Sequence, residues 1–166
     1  KNIVFIGSLV NGKGANEFIQ LAKIFNKLKF HLIGEGPLRK ELENISSGNV
    51  IFHRFLANDQ LKHVLSNMDL HLLLSRNEGF PKVILETAAS GIPSILYSDY
   101  GAEEWIRHRD NGFVVNNIKD VVGIIKEIEK GSISLSEISE KANNLSKLFD
   151  WKLRVKDWEK IICNLR

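Results

Sequence analysis

Two glutamates are the strongest candidates for chemistry in this sequence. Glu78 and Glu86 stand with seven residues between them in the segment 75–93. The short apolar run 70–74 predicts a buried strand, and apolar residues within 82–89 recur at helical spacing. The segment is therefore predicted to be strand, loop and helix, with Glu78 ahead of the helix and Glu86 inside it.

The start of that helix is predicted to bind phosphate. Pro81 suits the first helical position, and the first turn leaves unpaired backbone N–H groups, here those of Lys82, Val83 and Ile84. Such groups at the carboxyl edge of a parallel sheet attract phosphate. A carboxylate and a phosphate are both negatively charged and repel each other. The two glutamates are therefore expected to accept hydrogen bonds from sugar hydroxyls on either side of a diphosphate. A ligand that carries a diphosphate with sugar hydroxyls on either side is a sugar nucleotide.

A lysine between glycines is the candidate partner for the diphosphate. Lys13 follows the first predicted strand, and Gly12 and Gly14 let the backbone turn on either side of it. A fixed ammonium group stabilises the charge that develops on a leaving diphosphate. The alternative is a surface lysine in a mobile loop, which is the commoner place for a lysine.

The segment 75–95 resembles the E-x7-E signature of glycosyltransferase family 4, whose members are retaining enzymes built from two Rossmann-like domains (the GT-B fold). Further pieces of the family pattern occur in order at residues 7–9, 13–14, 33–37, 49–50 and 110–112. Each piece alone is weak, but together they cover nearly the whole chain and each lies at a predicted strand end. The resemblance implies that residues 1–166 are the C-terminal, donor-binding domain.

The resemblance implies roles for the glutamates and for the loop between them. Glu86 is expected to bind the ribose hydroxyls, and Glu78 to act as the catalytic residue that contacts the transferred sugar or stabilises charge near the reacting carbon. Gly79 and Phe80 are expected to lie against the donor. The alternative is that Glu78 caps the helix and Glu86 is a solvated helix residue.

The match also implies a diphosphate site, with one departure. Lys13 and Gly14 match the family's diphosphate-binding Lys-Gly pair, but Ser8 stands where the family usually has an arginine. Donor binding is then weaker, or Arg76 or Lys82 supplies the missing charge.

By resemblance, two further loops are expected beside the nucleotide. Gly36 belongs to a glycine turn after the second strand, with Pro37 as the first residue of the next helix, and a tight strand-to-helix connection explains it equally well. After the third strand, Arg54 or Phe55 is expected to stack on the base, with core packing as the alternative for Phe55. The full set of expected donor-binding residues is Lys13, Gly12, Gly14, Gly79, Phe80, Lys82, Val83, Glu86, Gly36 and Arg54. Glu104 matches a glutamate of the family's sugar-proximal loop, although charge at a helix start explains it as well.

Composition limits the function classes. The net charge of +3 from 23 basic and 20 acidic residues is too balanced to favour nucleic acid as the main partner. One cysteine, Cys163, and five scattered histidines give no metal-ligand spacing, so we expect no metal and no cofactor beyond the donor substrate. His31 and His71 are predicted to be strand residues with satisfied ring nitrogens.

Alternating apolar and amphipathic segments predict an α/β fold. The fold expected is a Rossmann-like parallel sheet of about six strands with helices on both faces, followed by two extra C-terminal helices. Predicted strands are 3–6, 30–33, 50–53, 70–74, 94–97 and 113–115. Predicted helices are 15–28, 38–45, 59–67 capped by Asn58, 82–90 ended by Gly91, 103–107, 119–130, 135–149 and 151–165.

The last predicted helix has an apolar stripe flanked by basic residues. Its members are Leu148, Trp151, Val155, Trp158 and Ile162. A basic amphipathic helix can lie on an anionic membrane, but a tryptophan stripe more often packs on its own protein, which is the interpretation we favour. By resemblance the helix crosses towards an N-terminal domain, and without that domain part of the stripe is expected to be exposed.

The function expected is transfer of a sugar from a nucleoside-diphosphate donor to a glycan or lipid-linked acceptor in surface polysaccharide biosynthesis, such as capsule or lipopolysaccharide. Because a core strand begins almost at once, we expect a partner domain upstream of this chain. By resemblance that domain binds the acceptor, and without it the fragment is expected to be inactive. By resemblance the protein is cytoplasmic, with peripheral contact to the inner face of the membrane. A non-hydrolysing nucleotide-sugar epimerase and a non-catalytic nucleotide-binding module remain alternatives. The base, sugar and acceptor stay open.

Overall fold

A computed structural model describes residues 1–164, which form six strands and seven α-helices. The strands are β1 (Asn2–Ile6), β2 (Lys29–Ile33), β3 (Val50–His53), β4 (Leu70–Leu73), β5 (Ser94–Tyr97) and β6 (Phe113–Val115). The helices are α1 (Ala15–Ile24), α2 (Arg39–Ile45), α3 (Asn58–Leu65), α4 (Lys82–Ala89), α5 (Ile118–Glu129), α6 (Leu135–Leu148) and α7 (Trp151–Asn164). The predicted α/β class and all six predicted strands are confirmed. The last predicted helix extended to Leu165, which lies outside the described residues.

The strands form one parallel sheet in the order β3-β2-β1-β4-β5-β6. Helices cover both faces, so β4 and β5 are buried along their whole length and their sequences are apolar almost throughout. The strand order reverses between β1 and β4. In sheets of this kind a crevice opens beyond the carboxyl ends of the strands at that point, and ligands bind there.

Side chains on both faces of the sheet form the core. On one face, Phe18 of α1 packs with its ring centroid 5.7 Å from that of Phe5 and 5.1 Å from that of Phe30. On the other face, Ile84 of α4 and Leu145 of α6 pack against β4 and β5. The core therefore fixes α1 and α4, whose N-termini lie at the carboxyl edge of the sheet.

Several predicted helix boundaries are wrong. The first helix, predicted to reach Leu28, ends at Ile24. Pro37 lies in a turn two residues before α2 begins at Arg39, since Leu38 donates its N–H to Leu9 O and ties the chain to the loop after β1. Asn58 is the first residue of α3, because the Gln60 side chain accepts the N–H of Ala57 and moves the cap one residue earlier. The helix predicted at 103–107 is a single 3₁₀ turn, Ala102–Glu104. The prediction that Gly91 ends α4 is confirmed by its positive φ of 71°.

The tryptophan stripe does not pack on the described part of this chain, and the expected exposure of part of the stripe is confirmed. Trp151 is 76% exposed and Trp158 is 62% exposed. By contrast, α6 packs closely on α4, where the Asn143 amide donates to Ala89 O at 2.9 Å. The sheet and α1–α6 therefore bury a core without α7. No helix of the described chain is both long enough and apolar enough to cross a membrane.

Candidate donor-binding site

Two loops at the carboxyl edge of the sheet are joined through their backbones. Gly34 lies so close to the carbonyl of Gly7 that a Cβ on Gly34 would overlap it, and Gly36 has the same relation to Leu9. The Leu9 N–H donates to Glu35 O at 2.9 Å. Gly36 therefore has a packing role, in agreement with the structural alternative for this turn, and it lines neither of the two cavities described below.

Gly14 brings the loop after β1 against the loop after β4. Its φ is +83°, and a Cβ there would lie 2.6 Å from the carbonyl carbon of Leu74. Gly12 has a similar φ of +84°, but the space around it is open. The two glycines thus turn the backbone on either side of Lys13 and direct the lysine toward the β4 side of the crevice.

Lys13 and Glu78 form an ion pair at the centre of this edge. Lys13 Nζ donates to Glu78 Oε1 at 2.7 Å, and their side chains are 35% and 14% exposed. Both line a cavity of about 320 Å³ whose wall also includes Phe80, Lys82 and Val83. The structure therefore brings together the lysine, the first glutamate and the start of α4.

The N-terminus of α4 faces the same cavity with few of its N–H groups used. Pro81 precedes the helix, as the residue before its first turn and not the first helical residue as predicted, and no side chain caps it. Ile84 donates its N–H to Pro81 O at 3.0 Å, so the prediction of a free Ile84 N–H is wrong. The N–H groups of Lys82 and Val83 have no acceptor among residues 1–164 and remain available to an anion.

A second cavity of about 390 Å³ adjoins the first. Glu86 lines it together with Gly34, Glu35 and Phe55, and residues 6–8 line both cavities. The two glutamates therefore face two neighbouring spaces on either side of the loop after β1. Such an arrangement suits a ligand with polar groups at both ends of a central anion.

Phe55 and Arg54 have different surroundings. Phe55 is 80% exposed, so core packing, the alternative considered for it, is wrong. Arg54 is also exposed but lines neither cavity. Of the two residues expected to stack on a base, the structure brings only Phe55 to the site.

Arg76 and Lys82, the two residues expected to replace the missing arginine, also differ in their surroundings. Arg76 Nη1 contacts Asp99 Oδ2 at 2.7 Å, and its guanidinium carbon lies 4.3 Å from the centre of the Tyr97 ring. Arg76 is thus already paired. Lys82 lines the first cavity and has no ionic partner among the described residues, so it is the cation placed to act beside Lys13.

The other expected sugar-proximal residues lie apart from this pair. The Phe80 ring borders the first cavity and packs 5.0 Å from Trp105 and 5.1 Å from Phe149. Glu104 lines a separate cavity of about 570 Å³ beyond that aromatic wall. Gly79 has open space where its Cβ would be, which leaves room for a ligand beside the loop.

Three histidines lie within the sheet and away from the cavities. His71 Nδ1 lies 2.8 Å from Ser94 Oγ, and burial lowers the pKa of His71 to about 3. His31 Nδ1 lies 3.1 Å from His53 Nε2. Burial lowers the pKa of both, with smaller contributions from His53 and Lys29 at His31 and from Arg39 at His53. Because Nε2 of His31 and of His71 is buried without a partner, the prediction that these rings are fully satisfied is wrong.

Sequence analysis missed two features of the site. Tyr100 lies near Glu78, and its pKa is raised by burial and then by the charges of Glu78 and Asp99. Leu56 lines the second cavity, although nothing in its spacing distinguishes it. Within residues 1–164, no cluster of three or more His, Cys, Asp or Glu side chains is arranged to hold a metal ion.

Comparison with known proteins agrees with the fold. The family model described as "Glycosyl transferases group 1" matches residues 1–145. The chain belongs to this family. The resemblance found in the glutamate segment is thereby confirmed over most of the sequence.

Individual relatives and a solved structure give the same picture. An uncharacterized glycosyltransferase of Haemophilus influenzae is 24% identical over 98% of this chain and 49% of its own length. The Campylobacter jejuni N,N'-diacetylbacillosaminyl-diphospho-undecaprenol alpha-1,3-N-acetylgalactosaminyltransferase is 30% identical over 81% of this chain and 38% of its own length. Anabaena HepE in complex with UDP superimposes with a TM-score of 0.87 at 21% identity, over 98% of this chain and 48% of that one. The chain spans half or less of the length of these relatives.

Proposed function

We propose that this chain is the donor-binding half of a retaining glycosyltransferase that moves a sugar from a nucleoside-diphosphate donor to a glycan or lipid-linked acceptor. One observation carries the proposal: the Lys13–Glu78 ion pair and the uncapped start of α4 share one cavity, and Glu86 faces the next. The acceptor is bound by a part of the protein upstream of this chain.

Each group of the donor has a matching partner. The diphosphate lies against the Lys13 ammonium and the N–H groups of Lys82 and Val83, because all three supply positive charge to one cavity. Glu86 accepts hydrogen bonds from the ribose, and the exposed Phe55 ring stacks on the base. The sugar then extends toward Glu78.

During transfer, charge develops on the diphosphate and on the sugar, next to the residues that bind each of them. The bond between the anomeric carbon and the diphosphate oxygen breaks, an acceptor oxygen bonds to that carbon, and the acceptor proton is released. Negative charge grows on the leaving diphosphate, where Lys13 and the helix N–H groups stabilise it. Glu78 lies on the other side of the bond that breaks, near the positive charge on the sugar ring.

The donor base and the acceptor follow from relatives by analogy. HepE was crystallised with UDP and with UDP-glucose, which supports uridine as the base here. The name of the Campylobacter relative includes a diphospho-undecaprenol-linked sugar, which supports a lipid-linked acceptor here. Activated sugars of this kind are made in the cytoplasm, so the reaction belongs on the cytoplasmic face of the membrane.

Calorimetric titration of the 166-residue chain with UDP, GDP and ADP tests the proposal. We expect saturable binding of UDP at millimolar concentration or below. Lys13→Met should lose about tenfold or more in affinity, because a charged hydrogen bond contributes roughly 1.5–3 kcal/mol. Lys23→Met, which removes an exposed lysine of α1, is the matched control and leaves the affinity unchanged. An absence of heat with all three nucleotides would contradict the proposal.

A further inference from the structure

Lys13 and Glu78 are each other's only charged partner among the described residues. The Nζ–Oε1 distance of 2.7 Å is that of a charge-assisted hydrogen bond. No other donor within residues 1–164 contacts the Glu78 carboxylate, although its side chain is only 14% exposed. A ligand that takes Lys13 therefore leaves a largely buried carboxylate without its cation.

Two ligands that share a diphosphate differ in whether they supply a new partner for Glu78. A free nucleoside diphosphate supplies negative charge for Lys13 and nothing for Glu78. An intact nucleoside-diphosphate sugar supplies negative charge for Lys13 and hydroxyl donors for Glu78. Because an unpaired buried carboxylate is costly, the pair opposes the free diphosphate more strongly than the intact donor.

We propose that exchange of this ion pair makes the site select the intact donor over the nucleoside diphosphate that remains after transfer. Glu78 competes with the diphosphate for Lys13 whenever no sugar occupies the cavity. The sugar of the donor releases Lys13 by occupying Glu78. After transfer, Glu78 recaptures Lys13 and promotes release of the nucleoside diphosphate. This inference rests on the proposed function, since it assumes a diphosphate beside Lys13.

Simple repulsion between Glu78 and the diphosphate is the competing explanation. Repulsion acts whether or not Lys13 is present, whereas exchange requires Lys13. A double-mutant cycle on the two residues therefore separates the two explanations. The isosteric change Glu78→Gln removes the charge and keeps the shape of the side chain.

The experiment titrates UDP into the wild-type chain, Glu78→Gln, Lys13→Met and the double variant, with thermal unfolding of each variant to confirm folding. We expect Glu78→Gln to bind UDP about fivefold more tightly than wild type, as a partly exposed ion pair contributes about 1 kcal/mol. In the Lys13→Met background the same change gives less than a twofold gain. The ratio of UDP-glucose to UDP affinity falls in Glu78→Gln, and the same holds with UDP-N-acetylglucosamine.

Two outcomes overturn the exchange: equal or weaker UDP binding by Glu78→Gln, or the full gain persisting in the Lys13→Met background. Either leaves the proposed function intact, because wild-type binding of UDP is measured in the same series. If GDP or ADP binds the wild type and UDP does not, that nucleotide replaces UDP in the cycle. Glu129→Gln, on the exposed side of α5, is the matched control and leaves UDP affinity unchanged.

Discussion

At the scale of single residues, the exposed side chains that are proposed to bind the donor contribute little to the stability of the fold. Phe55 is 80% exposed, and Glu86 is exposed on α4. A large aromatic ring in water contributes little to stability, and surface substitutions away from special features change it by about 0.5 kcal/mol or less. Changes at these positions should therefore alter ligand affinity and leave the free energy of unfolding nearly constant.

Phe55→Ala separates binding from folding. The ring lines the second cavity, and stacking on a base contributes about 1–3 kcal/mol. We expect UDP affinity to fall by roughly five- to a hundredfold, with the free energy of unfolding in urea changed by less than about 0.5 kcal/mol. Arg54→Ala is the control, because Arg54 lines neither cavity. A larger loss of affinity in Arg54→Ala would show that the arginine contacts the base.

At the scale of elements, strands were easier to predict than helix ends or exposure. The strands of a parallel sheet are buried on both faces, so apolar runs such as that of β4 identify them directly. Helix starts depend on contacts between loops, as at Leu38 and Leu9, which no local pattern contains. The site glycines were predicted for their flexibility. A second role, the close packing of Gly14 on Leu74, appears only in three dimensions.

Gly14→Ala tests that packing, with Gly12→Ala as its matched control. Both glycines have a φ near +83°, where alanine costs about 1–2 kcal/mol. Only Gly14 lies against backbone, that of Leu74. We expect Gly14→Ala to lower the free energy of unfolding by about 3 kcal/mol or more, and Gly12→Ala by about 1 kcal/mol. Equal losses in urea unfolding would contradict the close approach of the two loops.

His71 of β4 makes the free energy of unfolding depend on pH. Burial holds its pKa at about 3 in the folded chain, against 6.5 for an exposed imidazole. Between these values the unfolded chain binds more protons, so stability is fully present above pH 6.5 and is lost as pH falls. From pH 6.5 to 4, the wild type should lose about 3 kcal/mol more unfolding free energy than His71→Gln. Parallel pH profiles for the two proteins would show that His71 is not buried as described.

At the scale of the whole molecule, the exposed apolar stripe of α7 has no packing partner among the described residues of this chain. Its tryptophans are exposed, while the chain spans 49% of its Haemophilus relative and 48% of the HepE chain. Sequence periodicity identified the apolar stripe correctly. It could not say what covers the stripe, because the covering surface is not part of the local pattern. We propose that the upstream half of the protein covers it.

Substitutions in α6 and α7 should differ sharply in this chain. Trp158→Glu replaces an exposed ring and should change the free energy of unfolding by less than about 0.5 kcal/mol. Leu145→Ala removes a buried side chain that packs with Ile84 and Leu96, and should cost about 2–4 kcal/mol. Comparable losses in urea unfolding would mean that α7 packs on this domain after all.

A crystal structure of the chain with UDP bound is the most direct test of the central claim, which is that the crevice between β1 and β4 holds a nucleoside diphosphate. The account predicts the diphosphate within hydrogen-bonding distance of Lys13 Nζ and the N–H of Val83, and the ribose hydroxyls on the Glu86 carboxylate. A nucleotide bound elsewhere, or in this crevice with Glu86 turned away from the ribose, would contradict it.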